Sequence, residues 1–347
     1  MAMHMCPDPR KSRTMEIKQE PKRTTQKRPE RARPRSRGQD PPRCRFLFAA
    51  ELGDPVTTVH VNEHGCLAGT MLGRVWFFGF EHKEVEMLAS FSDEGIRGLF
   101  MDEESTYAVL NDQCRGWHTA RPHQQVGSVC FRTMDRKNTQ TVKHVLMRGS
   151  LACVLFPISS FVVNVARQEH HVCNFKLFDY GSSSEVIPCD FDGETLVVVD
   201  RTNAGAPPTF RLVKLAANVI TEVDYLPKAN QTALLKLWNN ECLAYAVGST
   251  LFIYDYQKRE VNQSLRHRAE IVAIDAQDPE IVAALSTDAV IKLWNGTTGS
   301  CLQTIFVPEA SFFLGYPYCL CLQGRRVAVS ADEGVFLLEL GATPGEA

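Results

Sequence analysis

The sequence has few of the features that mark secreted, membrane-spanning or metal-binding chains. No apolar run reaches the roughly 18 to 20 residues that a helix needs to cross a bilayer, and the N-terminus shows no apolar secretory segment. The 12 cysteines include no C-x-x-C pair, which removes the strongest zinc spacings. We therefore expect an intracellular protein, in the nucleus or the cytoplasm, with reduced thiols and no membrane insertion.

Catalytic and phosphate-binding motifs are also missing. The chain contains no G-x-S-x-G nucleophile elbow and neither of the common glycine-rich phosphate loops. Asp190, Asp192 and Glu194 could serve acid–base chemistry or bind a cation, but a hairpin turn explains them more simply. Cys319 and Cys321 share a strand face, and their apolar neighbours favour a place in the core. We predict no enzyme and no cofactor or metal.

Apolar residues are scarce in the first 45 positions, where Ile17 is the sole branched aliphatic residue and aromatic residues are absent. This segment holds 14 Lys/Arg and 5 Asp/Glu, a net charge of +9, whereas the remainder holds 24 and 35, a net of −11. Such a segment cannot bury enough apolar surface to offset its ordering entropy. The sequence therefore predicts a disordered, basic, proline- and arginine-rich arm over residues 1–44.

The arm has one dense basic cluster, KRPERARPRSR, at residues 27–37. Clustered arginine neutralises phosphates and releases counterions, so the cluster is typical of a nuclear-import signal or of a contact with nucleic acid or another acidic surface. A solvated tail without a specific partner explains it equally well. The candidate contacts are Lys27, Arg28, Arg31, Arg33, Arg35 and Arg37.

What the rest of the chain does contain is a succession of short β-favouring runs. The clearest unit has strand-like runs at 271–275, 281–285, 290–294 and 301–306, separated by turns rich in Asn, Asp, Ser, Thr and Gly. Runs of about five residues between such turns are the signal of strands and hairpins. The unit is predicted to be a four-stranded sheet.

This unit resembles a WD repeat. The residues VIKLWNGTTGSCLQTIF, at 290–306, match the end of a typical blade, with Asn295 where the family has Asp, and Arg266 replaces the usual glycine before the upstream histidine. The resemblance implies a hydrogen-bond network that stabilises the blade and has no catalytic role. Its members would be His267, Ser286, Asp288 and Trp294.

Weaker copies of the unit fill the remainder of the chain. About 300 residues over seven units average about 43 each, close to the period of a four-stranded WD-type blade. Within the third unit we expect the second and third strands at 161–165 and 175–179. Six or eight blades remain open, because the strands of 136–226 cannot all be placed. The seven units are roughly 55–90, 96–135, 142–183, 185–226, 232–267, 269–306 and 310–340.

The fold prediction is an all-β chain with a single closed β-propeller of seven four-stranded blades over residues 45–340, followed by a flexible tail at 341–347. A propeller must close, because otherwise its end blades present unpaired strand edges. The last unit shows three strands, and a spare strand precedes the first unit at 45–50. We expect that strand to be the fourth of the last blade.

Function is predicted from the family resemblance, which implies that propeller faces and the central channel bind other macromolecules. Aromatic and basic loop residues are candidates because Trp and Arg are enriched among interface hot spots. One candidate patch is Arg115, Trp117 and Arg121, and another is the pair Arg325 and Arg326. A Trp at a third-strand position also serves blade packing.

The sequence thus predicts a non-catalytic scaffold that binds other proteins in a multi-subunit assembly, and the basic arm favours a nuclear or ribonucleoprotein complex. A cytoskeletal or ciliary structural component is an alternative, in which the arm would bind an acidic filament. A substrate adaptor for a ubiquitin ligase is a further alternative. Members with that role often have Arg two residues after the Trp-Asp pair, whereas Trp294-Asn295 is followed by Gly296 and Thr297.

Overall fold

A computed structural model gives the arrangement of the body of the chain. All regular elements in the part that it describes are β-strands, so no helix there could span a bilayer. The arm residues 1–44, with all six candidate contacts, and residues 342–347 lie outside that part. The described ranges are 45–80, 85–91, 95–119, 121–131, 144–156, 160–167, 169–173, 189–200, 209–214, 219–225, 234–238, 241–276, 280–307, 319–331 and 334–341.

The strands of these ranges form seven antiparallel sheets of four strands each. In chain order they are β1 Arg45–Glu51, β2 Val56–Val61, β3 Gly65–Thr70, β4 Arg74–Gly79, β5 Val85–Ser90, β6 Gly98–Met101, β7 Ser105–Val109, β8 Gln113–His118, β9 Arg121–Cys130, β10 His144–Arg148, β11 Leu151–Leu155, β12 Ser160–Asn164, β13 Glu169–Cys173, β14 Cys189–Phe191, β15 Thr195–Asp200, β16 Thr209–Lys214, β17 Val219–Tyr225, β18 Leu234–Leu237, β19 Cys242–Val247, β20 Thr250–Asp255, β21 Glu260–Arg266, β22 Ile271–Asp275, β23 Ile281–Ser286, β24 Val290–Asn295, β25 Cys301–Phe306, β26 Leu320–Gln323, β27 Arg326–Ala331 and β28 Gly334–Glu339.

Each sheet is one blade of a propeller, and the prediction of an all-β, seven-bladed propeller is confirmed. Blades 1 to 6 are consecutive groups of four strands, from β2–β5 to β22–β25. Blade 7 consists of β26, β27 and β28 with β1 as its outer strand. β1 pairs antiparallel with β28, from Arg45 opposite Glu339 to Glu51 opposite Gly334. The two ends of the body are thus joined in one sheet, which leaves blade 7 with four strands like the others.

The second strand of a blade is buried on both faces. Every residue of β3 and of β7 is buried, and small side chains such as Ala68 and Ala108 recur there. This pattern follows from the architecture, because neighbouring blades cover both faces of each sheet. Between blades 5 and 6, for example, Leu251 and Leu265 of one blade pack with Val282 of the other. The core is therefore a ring of apolar clusters between adjacent blades.

The turns of different blades use the same polar chemistry. Asp192 follows the first strand of blade 4, and its Oδ1 accepts the backbone N–H groups of Glu194 (2.8 Å) and Thr195 (2.6 Å). Asn62 and Asp102 do the same in blades 1 and 2. Side-chain oxygens that bind the backbone two and three residues ahead stabilise tight turns. The carboxylate of Asp192 therefore belongs to a hairpin turn, as the sequence favoured, whereas Asp190, expected in the same turn, lies in strand β14.

The predicted register of the third unit is wrong. Its second strand is β11, Leu151–Leu155, and its third is β12, Ser160–Asn164, which we expected to be the second. The segment 175–179, expected as the third strand, lies outside the described residues. Short apolar runs such as LACVL and FVVNV are alike in periodicity, so only pairing between strands decides their order.

Candidate functional site

The first strands of all seven blades surround one cavity of about 380 Å³. Since one edge of every sheet contributes to it, this cavity is the central channel of the propeller. Its walls combine apolar residues such as Leu99 and Phe191 with the charged residues Arg148, Asp190 and Lys236. A channel of this size with a few polar groups has the general properties of a small-ligand site.

Seven residues occupy equivalent positions around the channel, one in each blade. Each lies in the first strand of its blade and pairs with a residue of the second strand. That residue pairs in turn with the one that lies two positions before the end of the third strand. We call this set the channel ring. Its members are His60, Phe100, Leu146, Asp190, Lys236, Asp275 and Cys321.

Lys236 is the centre of a three-residue ion cluster within the ring. Its Nζ lies 3.6 Å from Asp190 Oδ1 and 3.6 Å from Asp275 Oδ1, which places one ammonium between carboxylates from both neighbouring blades. The Asp190 carboxylate is the main reason that the pKa of Lys236 is raised, while burial raises the pKa of Asp190. The Lys236 side chain is one-third exposed at 33% and that of Asp275 is 2% exposed. The lysine is held charged, so it is unsuited to act as a base or nucleophile.

The two ring carboxylates also join adjacent blades through the backbone. Asp190 Oδ2 accepts the N–H of Leu237 in the next blade at 2.8 Å. Asp275 Oδ2 accepts the N–H of Leu322 in the next blade at 2.6 Å. In both cases the donor is the residue directly after the ring position of the following blade. A buried carboxylate that accepts backbone N–H groups is a strong, charge-assisted contact, so these side chains hold the blades together.

His60 also joins its blade to the next one, but here the side chain is the donor and the backbone of the next blade is the acceptor. Its Nε2 is 3.2 Å from the carbonyl oxygen of Met101, which directly follows the ring residue Phe100 of the next blade. Because a carbonyl only accepts, Nε2 is the protonated nitrogen and Nδ1 is free to accept from the thiol of Cys321, 3.9 Å away. Burial lowers the pKa of His60 to about 4 and raises the pKa of Cys321 well above its ordinary value.

The His60–Cys321 pair is therefore a neutral contact. A nucleophilic cysteine needs a thiolate, and burial in this channel opposes its formation. Nearby Cys319 behaves alike, since burial raises its pKa to about 11. The sequence assigned Cys319 and Cys321 to the core, and the structure agrees, because Cys321 belongs to the apolar cluster between blades 7 and 1 and Cys319 packs against it. Both residues also line the channel. Within the described ranges, His, Cys, Asp and Glu residues form no group of three or more that could hold a metal ion.

The residues of the predicted blade network lie together in blade 6. His267 Nδ1 is 3.2 Å from Ser286 Oγ, and that hydroxyl donates to Asp288 Oδ1 at 2.7 Å. Trp294 packs edge-on against His267, with ring centroids 6.1 Å apart, and its indole N–H finds no acceptor in the described part of the chain. Burial lowers the pKa of His267 to about 4. Ser286 thus links three of the four residues, and Trp294 joins them by packing.

Two members of the first candidate patch, Arg115 and Trp117, contact the same buried ring of Phe91. Trp117 is 9% exposed, and its ring packs on Phe91 at 5.8 Å in the junction of blades 1 and 2. Arg115 lies over the Phe91 ring at 5.0 Å and is half-buried. The backbone of Arg121 pairs with His118, and its side chain lies outside the described atoms. Partner binding by these residues stays a prediction, for which Trp117 has little free surface.

Arg325 and Arg326 make contacts within the propeller. Arg325 donates from Nε and Nη2 to the carbonyl oxygen of Leu340, at 3.0 and 2.7 Å. Arg326 donates to the carbonyl oxygen of Asn62 at 3.1 Å, and its guanidinium lies 4.1 Å from the centre of the Phe80 ring. The second arginine thereby ties blade 7 to blade 1. A role in binding a partner stays a prediction for both.

Two groups of residues escaped the sequence analysis. Part of the channel ring could have been found from the turns of blades 1, 2 and 4, which each begin with an Asn or Asp. The residues two positions before that Asn or Asp are His60, Phe100 and Asp190. Arg97 shows no motif, yet its Nε donates to Asn111 Oδ1 at 2.8 Å on an exposed surface. Only the packed structure brings it to the junction where Arg115 lies.

Comparison with known proteins supports the fold. No family model and no curated protein matches the chain. The computationally designed Ika8 protein is 12% identical with a TM-score of 0.58, and the match covers 84% of this chain and 99% of that one. A chain in the crystal structure of the mitotic checkpoint complex is 11% identical with a TM-score of 0.62, covering 95% and 99%.

The WD40 propeller domain of Doa1 is 11% identical with a TM-score of 0.59, and the match covers 85% of this chain and 96% of that domain. Identities this low show likeness of fold alone. Together with the seven four-stranded blades, these matches show that the chain has a β-propeller fold similar to that of the WD40 domain of Doa1.

Proposed function

We propose that the chain is a non-catalytic scaffold that binds other proteins within a multi-subunit assembly. The observation that carries the proposal is that polar side chains in the channel bind other residues of the propeller. Lys236 is neutralised by Asp190 and Asp275, and His60 and Cys321 are held uncharged, so these five polar residues of the channel ring join blades to one another. A propeller built this way is a rigid platform whose turns remain at its two faces.

The structural neighbours agree with such a role. One of them comes from the mitotic checkpoint complex, in which a propeller of similar fold belongs to an assembly of several proteins. The basic cluster at residues 27–37 supports a nuclear or ribonucleoprotein assembly, because arginine-rich segments bind phosphates and import receptors. We propose a location in the nucleus, the cytoplasm or both, with nucleic acid as a further partner through the arm.

The test is affinity purification with mass spectrometry and RNA sequencing. Three baits are compared: the full chain, a chain that starts at Arg45, and a full-length variant in which the six candidate arm residues are changed to Gln. We expect a defined set of proteins to co-purify with all three. If the same partners are lost from both arm variants, binding is mainly electrostatic and the propeller is not the docking body.

The alternatives predict different outcomes in the same material. Recovery of ubiquitin-ligase subunits, with substrates lost when the propeller is absent, would favour the adaptor role. Salt-sensitive co-sedimentation with microtubules or actin, abolished by the six arm substitutions, would favour a cytoskeletal or ciliary component. Fluorescence microscopy of the full chain and the arm variant shows whether the basic cluster directs nuclear import.

A further inference from the structure

Two arginine side chains of blade 2 have their Nε atoms bound within the blade, while their terminal nitrogens have no acceptor among the described residues. Arg97 Nε donates to Asn111 Oδ1 at 2.8 Å, and Arg115 Nε donates to Gln113 Oε1 at 3.0 Å. Asn111 lies in the turn that joins β7 to β8, and Gln113 is the first residue of β8. In the described part of the chain no carboxylate lies within 4.0 Å of either guanidinium, so their terminal nitrogens remain available as donors.

Both arginines lie on the side of blade 2 that faces blade 1. Arg115 pairs with Ala108, and Ala108 pairs with Leu99, so the three share one face of the sheet. Arg97 is two residues before Leu99, and its N–H donates to the carbonyl oxygen of Val109 at 2.8 Å, which continues the strand pairing. Leu99 and Ala108 pack into the apolar cluster between blades 1 and 2. The two guanidinium groups therefore flank the same junction.

An exposed apolar turn lies beside them. Met71 and Leu72, in the turn between β3 and β4, are 43% and 54% exposed. The turn is held in place, because Leu72 N–H donates to the buried Asp54 carboxylate at 3.3 Å and Ile96 N–H donates to Thr70 O at 3.0 Å. Large exposed apolar side chains on a fixed turn are a mark of interaction sites. We call Met71, Leu72, Arg97 and Arg115 the junction surface.

We infer that the junction surface docks an acidic peptide segment of a partner protein, with carboxylates on Arg97 and Arg115 and an aliphatic side chain on Met71 and Leu72. The inference rests on the proposed scaffold function and names the chemistry of one partner. Residues 46–347 carry 24 Lys/Arg against 35 Asp/Glu. An acidic segment is therefore repelled by the net negative charge of the body and attracted to Arg97 and Arg115, which have no carboxylate partner among the described residues.

A peptide fits this surface better than a nucleic acid. A phosphate backbone has no aliphatic group to cover Met71 and Leu72. The ring of Phe91 is buried and has the guanidinium of Arg115 over its face, so it does not offer the free platform on which bases stack. Arginine forks bind carboxylates in a bidentate manner, and their fixed Nε atoms reduce the entropy lost on binding.

The experiment measures fluorescence anisotropy of a labelled peptide of alternating Glu and Leu with the full-length chain. Matched peptides replace Glu by Gln or Leu by Ser, and a single-stranded DNA of equal charge is the nucleic-acid probe. The test variants are Arg97→Gln with Arg115→Gln, and Met71→Ser with Leu72→Ser. Arg268→Gln removes an exposed arginine from the turn before β22 and is the matched control. Circular dichroism and thermal unfolding verify that each variant is folded.

We expect saturable binding of the Glu–Leu peptide that weakens about tenfold or more in the double arginine variant, since two charge-assisted contacts are lost. The serine variant and both matched peptides should also bind more weakly, and Arg268→Gln should bind normally. The inference is overturned by equal binding of the Gln peptide, by an equal loss in Arg268→Gln, by tighter binding of the DNA at the same arginines, or by no saturable binding up to millimolar peptide.

Affinity purification separates this inference from the proposal on which it rests. If the double arginine variant retains every protein partner of the full chain, the scaffold function stands and the junction surface is not the docking site. If neither form of the chain retains protein partners, the scaffold proposal itself fails. If the double arginine variant loses a subset of partners, those partners should contain acidic segments, and peptides from them should compete.

Discussion

Blades 6 and 3 have the same architecture and different interiors. Blade 6 has Asp275 in the channel ring, Trp294 near the end of its third strand and Ser286 at the end of its second. Both blades are four-stranded antiparallel sheets of the same pairing order. The residues at the corresponding positions of blade 3 are Leu146, Val163 and Phe156.

Blade 3 replaces polar contacts by apolar packing. Val163 is 1% exposed, and Phe156 is fully buried with its ring edge-on to Phe161 at a centroid distance of 5.4 Å. In blade 6 the position of Phe156 is occupied by a hydroxyl that binds His267 and Asp288. The blade geometry therefore depends on alternation, turns and burial against the neighbouring blades. The polar network is one of several ways to fill the interior.

The largest effect is expected at the aromatic position. Trp294→Ala should lower the free energy of unfolding by about 3 to 5 kcal/mol, because a buried aromatic side chain leaves a cavity. Val163→Ala in blade 3 removes fewer buried atoms and should cost about 2 kcal/mol. Urea denaturation of the two variants measures both values. A cost below about 1 kcal/mol for Trp294→Ala would show that the indole contributes little to blade 6.

The next largest effect on stability is expected at Asp275, a carboxylate of the channel ring. Asp275→Ala leaves the buried N–H of Leu322 without its acceptor and removes one of the two counter-charges of Lys236. We expect a loss of about 3 kcal/mol, the low end for a broken buried pair because Lys236 is partly exposed. Asp275→Asn keeps an acceptor and should recover part of the loss. Leu146→Ala, at the half-buried ring position of blade 3, is the comparison, and an equal cost there would mean that the ion cluster adds no stability.

Acid should weaken the molecule through its buried histidines. His60 and His267 are 6% and 7% exposed, and burial lowers the pKa of each from 6.5 to about 4. Between pH 6.5 and 4 these histidines are protonated in the unfolded chain and neutral in the folded chain, so the free energy of unfolding falls as the pH falls. The loss reaches about 2 to 3 kcal/mol for each histidine.

Chemical denaturation across this pH range measures the effect. The variant His60→Gln with His267→Gln lacks both groups and should lose much less stability on acidification. Phe161→Leu, in the interior of blade 3, leaves His60 and His267 in place and should retain the full pH dependence of the unchanged chain. An identical slope in the histidine variant would contradict the assignment.

The smallest effect is expected in the turns, where blades 6 and 3 are alike. Asn295 Oδ1 accepts the N–H of Thr298 at 2.7 Å, and Asn164 Oδ1 accepts the N–H of Arg167 at 3.0 Å. Asn295→Ala and Asn164→Ala should each cost about 1 kcal/mol, since each removes one exposed hydrogen bond. Asn295→Asp keeps the acceptor and should be nearly neutral. Thermal unfolding is sensitive enough to compare the three, and a large cost in only one blade would break the equivalence of the turns.

Much of the fold could be predicted from local pattern. The four strands of blade 6 agree with the predicted runs because each run lies between recognisable turns, such as that at Thr287-Asp288. Blade 3 was misassigned although Gly149-Ser150 precedes its second strand, because 151–155 and 160–164 are two apolar runs of equal length and each could be the second strand. Where the interior is filled by Leu, Val and Phe, periodicity shows that a strand is present but not which position it takes in the sheet.

The candidate sites were harder to predict. His267, Ser286 and Asp288 could be placed together because they lie within 22 residues of sequence in one unit. The contact between Asp190 and Leu237 spans 47 residues, and that between Cys321 and His60 spans 261. No local spacing indicates such pairs.

The amino-acid sequence by itself determined the class of fold, because alternation and turn chemistry act over a few residues and repeat with a period near that of a blade. It also placed the charged residues Asp190, Lys236 and Asp275 in the first strands of blades 4, 5 and 6, which line the channel. The tertiary structure alone decided which charges meet. Closing seven blades into a ring sets Lys236 between two carboxylates and brings Arg97 and Arg115 to one junction, since distances between blades depend on sheet packing rather than on sequence separation.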